Sequence, residues 1–148
     1  MIDVWTDGSC LGNPGYGGWA AVSKDFEISG AHEGTTNNVM ELTAILRALE
    51  KCREIGAMDV RIWTDSFYCK NGITTWIHGW KRNHWITSNG QPVKNRELWE
   101  SIDVAARAFR SVEWNWVKAH NGHPQNEAVD ALARARATEL KNSSARKI

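Results

Sequence analysis

The spacing of apolar residues along the chain predicts alternating strands and helices. Segments with an alternating or short apolar pattern predict five strands, at 2–7, 19–24, 26–32, 58–64 and 112–117. Segments with apolar residues at helical spacing, or with cap and turn signals at their ends, predict five helices, at 38–55, 67–72, 73–82, 96–110 and 124–140. Ser66 is a candidate N-cap for the second of these helices, and Pro124 suits the first turn of the last one.

The connections between these segments predict the fold class. Short turns join the first three strands, which are therefore expected to be antiparallel neighbours, whereas helices lead into the last two strands and favour parallel crossovers. The expected fold is α/β, with a five-stranded mixed sheet (three antiparallel strands, then two parallel) and helices on both faces. A chain of 148 residues suits one domain, predicted at 1–140, followed by a flexible polar tail at 141–148.

Four carboxylates lie where folding alone would not favour them. Asp7 and Asp65 close two predicted strands, Glu41 falls on the apolar side of a helix, and Asp130 lies in an Ala-rich helix. Ionised groups lose hydration at such positions unless a cation compensates, and Mg²⁺ prefers oxygen ligands. The set therefore suggests metal-dependent phosphoryl transfer. Each residue also has a structural interpretation, because Asp is common in turns and caps and the two helical residues could reach solvent.

Charge is distributed unevenly along the chain. The net charge is +1, yet the segment 66–96 holds five of the 18 Lys and Arg residues and none of the 17 Asp and Glu residues. The same segment contains three of the nine tryptophans, Trp76, Trp80 and Trp85. A basic segment next to an acidic body suggests that a polyanion binds there. A solvated basic loop would show the same composition.

Two further segments have sequence features that suggest chemistry. The Gly-rich turn at 12–18 lacks the Gly-Lys-Ser/Thr ending of a P-loop and does not open a helix, although its amides could meet a sugar-phosphate chain. His120 lies in a Gly-containing loop ten residues before Asp130, a position suited to proton transfer. His123, next to a helix-starting proline, is expected to be structural.

Cysteine usage and hydropathy indicate the compartment. Cys10, Cys52 and Cys69 are an odd number without paired spacing, and the N-terminal residues lack a signal-peptide pattern. No apolar stretch approaches the length of about 18 residues that a membrane helix needs. We therefore expect reduced thiols in a cytoplasmic protein without a membrane partner, with a monomer as the default state.

Seven separated motifs give the chain a resemblance to bacterial type 1 ribonuclease H over residues 2–140. They occur in order and at compatible spacing: TDGSCLGNPG at 6–15, TNNVMEL at 36–42, TDS at 64–66, WIHGWK at 76–81, PVKN at 92–95, WVK at 116–118 and HNGHPQNEAVD at 120–130. So many ordered matches make chance agreement negligible. The resemblance implies the ribonuclease H-like fold.

The resemblance also implies a reaction and its catalytic residues. It implies that Asp7, Glu41, Asp65 and Asp130 hold two Mg²⁺ ions, with Mn²⁺ as a substitute. The ions would flank the scissile phosphate of the RNA strand in an RNA–DNA hybrid, and hydrolysis would leave 5′-phosphate and 3′-hydroxyl ends. His120 resembles the family's mobile histidine, which assists proton transfer or product departure.

The resemblance further implies a substrate-binding surface. Asn13, Asn37 and Asn38 match residues that contact the hybrid across its minor groove. Thr36 and Asn95 match residues that hold a phosphate of the DNA strand. The segment 73–96 resembles a basic protrusion that grips the DNA strand. We expect Trp85 to serve mainly in packing. Four residues of the segment are expected to face the substrate: Trp76, Trp80, Lys81 and Arg82.

Three departures from the family pattern concern affinity rather than the carboxylates. Phe67 stands where the family often has Gln, so Asn71 could supply the polar contact instead. The hairpin between residues 18 and 35 is short, and Lys24 is a candidate for an arginine near the phosphate pocket. Ala119 and Asn121 replace a more usual Gly and Ala in the histidine loop.

Three other functions are compatible with parts of this pattern. A hybrid-binding module with a decayed site is disfavoured by the complete carboxylate set. An integrase, transposase or junction resolvase would keep the fold and cut DNA instead. The ribonuclease H domain of a reverse transcriptase would be part of a longer chain.

Overall fold

Five strands form one mixed sheet in the computed structural model, which describes residues 1–119 and 122–146. The strands are β1 (Ile2–Gly12), β2 (Gly15–Ser23), β3 (Glu27–Thr35), β4 (Asp59–Thr64) and β5 (Ser111–Trp116). Their order across the sheet is β3-β2-β1-β4-β5. The β1–β2 and β2–β3 pairs are antiparallel, and the β1–β4 and β4–β5 pairs are parallel. The predicted fold class is confirmed.

The described residues also form five α-helices and one π-helical turn. They are α1 (Asn37–Glu54), α2 (Phe67–Asn71), the π-helical turn (Gly72–Trp76), α3 (Ile77–Arg82), α4 (Arg96–Ala106) and α5 (Pro124–Arg146). As predicted, the Ser66 hydroxyl caps α2 by accepting a hydrogen bond from the backbone N–H of Cys69 at 3.1 Å.

Three helix boundaries differ from the sequence prediction. The single helix expected at 73–82 is divided between the π-helical turn and α3, and α4 ends at Ala106 instead of residue 110. The last helix was expected to end near Leu140, but α5 continues to Arg146. Near its end, the Ser144 hydroxyl donates a hydrogen bond to Glu33 at 2.8 Å. The predicted tail is therefore helical as far as Arg146, and this hydrogen bond joins its end to β3.

The first hairpin is also longer than its apolar pattern suggests. The sequence predicts a tight, Gly-rich turn from Cys10 to Gly18, yet β1 and β2 pair through most of this region and only Asn13 and Pro14 lie between the strands. Glycine is needed inside this ladder, since a Cβ at Gly15 would collide with the backbone carbonyl of Leu11. The glycine-rich composition thus reflects close strand pairing on both sides of a two-residue turn.

Both faces of the sheet are covered by helices. Ala20 and Ala21 are consecutive in β2 and point to opposite faces. Ala21 belongs to a core cluster with Leu42 of α1 and Trp99 of α4, whereas Ala20 packs with α5 through Val129 and another alanine, Ala133. The sheet is therefore sandwiched between α1 and α4 on one face and α5 on the other. Within the described part of the chain, no helix is both long and apolar enough to cross a membrane.

Candidate active site

The parallel pairing of β1 and β4 brings Asp7 next to Asp65. Thr6 is in register with Thr64, so the residue that follows each threonine lies at the same level of the sheet. Asp65 directly follows β4, as predicted, whereas Asp7 lies inside β1, which continues to Gly12. Both aspartates therefore reach the rim at which ligands bind in sheets with parallel strands.

Glu41 comes to the same place from α1. The first turn of this helix is capped by Thr36, whose hydroxyl accepts a hydrogen bond from the Val39 N–H at 3.2 Å. Helix α1 packs directly on β1, since a Cβ at Gly8 would collide with the backbone of Glu41. The Gly8 N–H donates a hydrogen bond to Oε1 of Glu41. Glu41 is 3% exposed, which confirms that it faces inward.

Three carboxylates form a compact cluster at this rim. Asp7, Glu41 and Asp65 each offer an oxygen, and these oxygens lie within 4.8 Å of one another. Burial raises the pKa of Asp7 above its ordinary value, and the neighbouring carboxyls of Glu41, Asp65 and Asp130 raise it further. Burial also raises the pKa of Glu41, although hydrogen bonds with Asp7 and Gly8 oppose this effect. The cluster is thus an unfavourable place for negative charge without a cation.

The donor set fits a hard divalent cation. Asp7 is 3% exposed, and its Oδ2 is buried without a hydrogen-bond partner among the described residues. A buried polar atom without a partner is costly unless a ligand satisfies it. Carboxylate oxygens are the ligands that Mg²⁺ and Mn²⁺ prefer. Asp7, Glu41 and Asp65 could therefore hold such an ion.

Asp130 lies beside this cluster without being part of its compact core. It is located on α5, and its carboxyl is one of the neighbours that raise the pKa of Asp7. Its ion-pair partner is Arg134, one turn along α5, at 2.8 Å. Three of the four predicted carboxylates therefore form the compact cluster, and Asp130 lies beside it with an ion pair to Arg134.

Two histidines precede α5, and the structure describes only the second of them. His120, predicted to transfer protons, lies outside the described residues, as does Asn121. The ring of His123 packs against Trp5 at 6.2 Å and against Trp63 at 6.3 Å, while its Nδ1 accepts a hydrogen bond from the Asn126 N–H at 3.4 Å. These contacts agree with the structural interpretation of His123.

The predicted minor-groove asparagines lie in the β1–β2 turn and at the start of α1, the helix that carries Glu41. Oδ1 of Asn13, in the β1–β2 turn, accepts a hydrogen bond from the Asn37 N–H at the start of α1, at 3.1 Å. Asn13, Asn37 and Asn38 are all exposed. Asn95 adopts a left-handed conformation with φ 62°, and its Nδ2 donates to the Tyr68 hydroxyl at 3.2 Å. Asn13, Asn37 and Asn38 thus form an exposed polar surface around the first turn of α1, whereas Asn95 is half-buried at the start of α4.

The basic segment is built around aromatic packing. Trp80 contacts three other tryptophans, with ring centroids 6.1 Å from Trp76, 6.2 Å from Trp85 and 5.3 Å from Trp99. Trp80 is therefore a central packing residue of the segment, whereas the sequence suggested this role mainly for Trp85. Trp76 is more open, at 40% exposed. This packing fixes α3 to α4.

Some basic side chains in this segment form ion pairs with acidic residues, whereas others face solvent without such a partner. Lys81 forms an ion pair with Asp103 of α4 at 2.8 Å. Arg82 is exposed and, among the ion pairs of the described residues, takes part in none. Asn71, the suggested replacement for the missing Gln, is half-buried at the end of α2. The two adjacent cations therefore have different surroundings.

Sequence analysis did not anticipate an aromatic pair at the rim. Phe67 was noted only as a departure from the family pattern, and Trp116 only as part of a motif. Their rings meet edge to face, with centroids 5.6 Å apart. The two residues are far apart in sequence, and only the parallel pairing of β4 with β5 brings them together.

Comparisons with known proteins identify relatives of this chain. The family model described as RNase H matches residues 1–138. The chain is 50% identical over 138 residues to a Ribonuclease H from Bradyrhizobium diazoefficiens, covering 90% of this chain and 88% of that protein. It is 48% identical over 147 residues to a Ribonuclease H from Bartonella bacilliformis, covering 97% and 93%.

A solved structure supports the fold as well. LC9-RNase H1, a type 1 RNase H with the type 2 active-site motif, superposes with a TM-score of 0.81 and 30% identity, covering 93% of this chain and 72% of that one. The mixed sheet and the acidic rim place the protein among nucleases of the ribonuclease H-like fold. The chain belongs to the ribonuclease H family, whose members are hydrolytic endoribonucleases.

Proposed function

We propose that this protein hydrolyses the RNA strand of RNA–DNA hybrids with the help of two divalent cations, Mg²⁺ by preference and Mn²⁺ as a substitute. The observation that carries the proposal is the convergence of Asp7, Glu41 and Asp65 within 4.8 Å at the rim of the sheet. With Asp130 beside them, these residues would hold the ions. When bound, such ions activate an attacking water and stabilise the leaving 3′ oxygen.

The products expected from this chemistry are 5′-phosphate and 3′-hydroxyl ends. A water nucleophile leaves the 2′-hydroxyl of the RNA unused, so no cyclic phosphate should form. His120, in the loop before α5, would assist proton transfer or product departure. Its loss should therefore slow the reaction less than the loss of Asp7.

The selection of a hybrid would depend on the asparagine surface. Asn13, Asn37 and Asn38 are exposed near the carboxylates, and amide side chains can both donate to and accept from 2′-hydroxyls in the shallow minor groove. Thr36 and Asn95 would lie near a phosphate of the DNA strand. This arrangement would distinguish RNA from DNA without reading the base sequence.

The basic segment would hold the DNA strand. Arg82 and the exposed part of Trp76 would contact its backbone, while Lys81 and Trp80 would contribute less directly because they have partners within the protein. Asn71 would add a polar contact near α2. Binding through such residues should weaken with salt and vary little with sequence.

We also propose that residues 1–140 act as one catalytic domain and that the protein is a cytoplasmic monomer. The thiols of Cys10, Cys52 and Cys69 are free, which suits a reducing compartment. Light scattering coupled to gel filtration tests the oligomeric state, and cell fractionation tests the compartment.

Cleavage of an end-labelled RNA–DNA hybrid tests the proposed activity. The protein is incubated with and without Mg²⁺, beside a DNA duplex of matching sequence, and Asp7→Asn is compared with Asp25→Asn, which changes an exposed aspartate in the β2–β3 turn. Metal-dependent cuts in the RNA strand alone, with 3′-hydroxyl ends, are expected for the wild type and Asp25→Asn but not for Asp7→Asn.

Other results of this experiment would favour other functions. Tight hybrid binding without cleavage in Mg²⁺ or Mn²⁺ would indicate a binding module. Cleavage of the DNA duplex would instead place the protein with the integrases and resolvases of the same fold.

A further inference from the structure

Phe67 and Trp116 form a fixed aromatic surface on the outside of the protein. Phe67 is 59% exposed and Trp116 is 41% exposed, although both side chains are large and apolar. Their rings meet at an interplanar angle of 83° with centroids 5.6 Å apart, the edge-to-face geometry that aromatic pairs prefer. The pair thus keeps a sizeable apolar surface in contact with water in the protein alone.

This aromatic surface is attached to the carboxylate site. The indole N–H of Trp116 donates a hydrogen bond to the backbone carbonyl of Asp65 at 3.1 Å. Phe67 follows Asp65 by two residues and begins α2, and Trp116 ends β5 in register with Thr64. A polymer bound at the carboxylates would therefore pass close to both rings.

We infer that the Phe67–Trp116 pair packs against sugars of the RNA–DNA hybrid next to the catalytic carboxylates and contributes to affinity without reading the base sequence. The inference rests on the proposed function. A hybrid presents its sugars along a wide, shallow minor groove, where an apolar ring edge can contact C–H groups. Phe67 has no hydrogen-bonding group in its side chain, and the N–H of Trp116 is already used by Asp65.

An apolar contact differs from the basic segment in its response to salt. Contacts between cations and phosphates release counterions, so their contribution falls as salt rises, whereas burial of an aromatic ring releases none. Loss of the Phe67 ring should therefore weaken binding equally at low and high salt. This difference separates the proposed contact from a general loss of electrostatic attraction.

Fluorescence anisotropy of a labelled hybrid, measured in EDTA at several salt concentrations, tests the contact. Phe67→Ala and Phe67→Ser remove the ring, Phe67→Trp keeps an aromatic surface, and Val104→Ala removes a side chain that is 63% exposed on α4. We expect the first two variants to raise Kd about five- to tenfold with the salt slope unchanged. Phe67→Trp and Val104→Ala should stay within about twofold of the wild type.

Steady-state cleavage in Mg²⁺ provides a second readout. Because the ring would contact substrate without touching reacting groups, Phe67→Ala should raise KM by about the same factor as Kd and leave kcat within about twofold. Wild-type affinity in both truncated variants would overturn the aromatic contact, as would a rise in Kd that disappears at high salt. Failure of the wild type to bind or cleave the hybrid would instead overturn the proposed function itself.

Discussion

Asp7 and Asp65 are neighbours because Thr6 of β1 pairs in parallel with Thr64 of β4. Their oxygens lie within 4.8 Å of each other and of Glu41, in a site where two of the three residues are almost fully buried. Like charges at this distance repel, and burial removes the water that would screen them. The same arrangement that suits a divalent cation therefore destabilises the protein without one.

Replacement of Asp7 should separate activity from stability. Asp7→Asn replaces a buried carboxyl, whose raised pKa costs stability at pH 7 relative to the unfolded chain, with a group that does not titrate. We therefore expect the metal-free variant to be more stable than the wild type at pH 7 by about 1–3 kcal/mol while cleavage is lost. Urea unfolding in EDTA measures the difference. Asp25→Asn, at an exposed turn, should change the free energy of unfolding by less than about 0.5 kcal/mol. A less stable Asp7→Asn protein would contradict this account.

The stability of the metal-free protein should fall as pH rises above about 4. The pKa values of Asp7 and Glu41 are raised in the folded protein, so the unfolded chain loses these protons first and the folded state becomes relatively less favourable. Asp59 acts in the opposite direction, since Arg110 and Ser111 lower its pKa to about 2 and its stabilising effect is lost below pH 4. Unfolding curves in EDTA between pH 4 and 8 measure the effect of Asp7 and Glu41 separately from that of Asp59.

A double variant provides the control for this pH dependence. Asp7→Asn combined with Glu41→Gln removes both raised groups, so the decline between pH 4 and 8 should become much shallower. An equally steep decline in the double variant would show that other groups cause it.

Addition of Mg²⁺ should stabilise the wild type. A cation that binds only the folded state at ten times its Kd raises the free energy of unfolding by about 1.4 kcal/mol. Thermal unfolding with and without Mg²⁺ measures this gain, which Asp7→Asn should reduce strongly and Asp25→Asn should leave intact. An equal gain in all three proteins would indicate ion binding elsewhere.

The two adjacent cations of the basic segment should behave differently. Arg82→Gln should weaken hybrid binding and reduce the salt slope by about one, because one phosphate contact is lost. Lys81→Gln should have a smaller effect on the slope, since Lys81 is paired with Asp103. Anisotropy titrations at 50–200 mM salt distinguish them. Equal slopes for both variants would show that the ion pair opens when the hybrid binds.

Much of the architecture followed from local patterns. Alternation in β1 and β4, and helical spacing around Glu41, indicated the element types and the inward position of that carboxylate, because side-chain direction repeats with a period of two in strands and 3.6 in helices. Turn lengths indicated which strands are antiparallel. Positions at strand ends and on helix faces indicated the four carboxylates, and the resemblance implied that they bind metal together.

Contacts between distant segments required the tertiary structure. The end of α5, which continues to Arg146, contacts β3 through Ser144 and Glu33. Lys81 forms its ion pair with a residue of α4, and Phe67 meets Trp116 only because β5 lies beside β4. Local sequence determines the conformation of a segment and the face it buries. It does not determine which distant segment covers that face, since this depends on the packing of the whole chain.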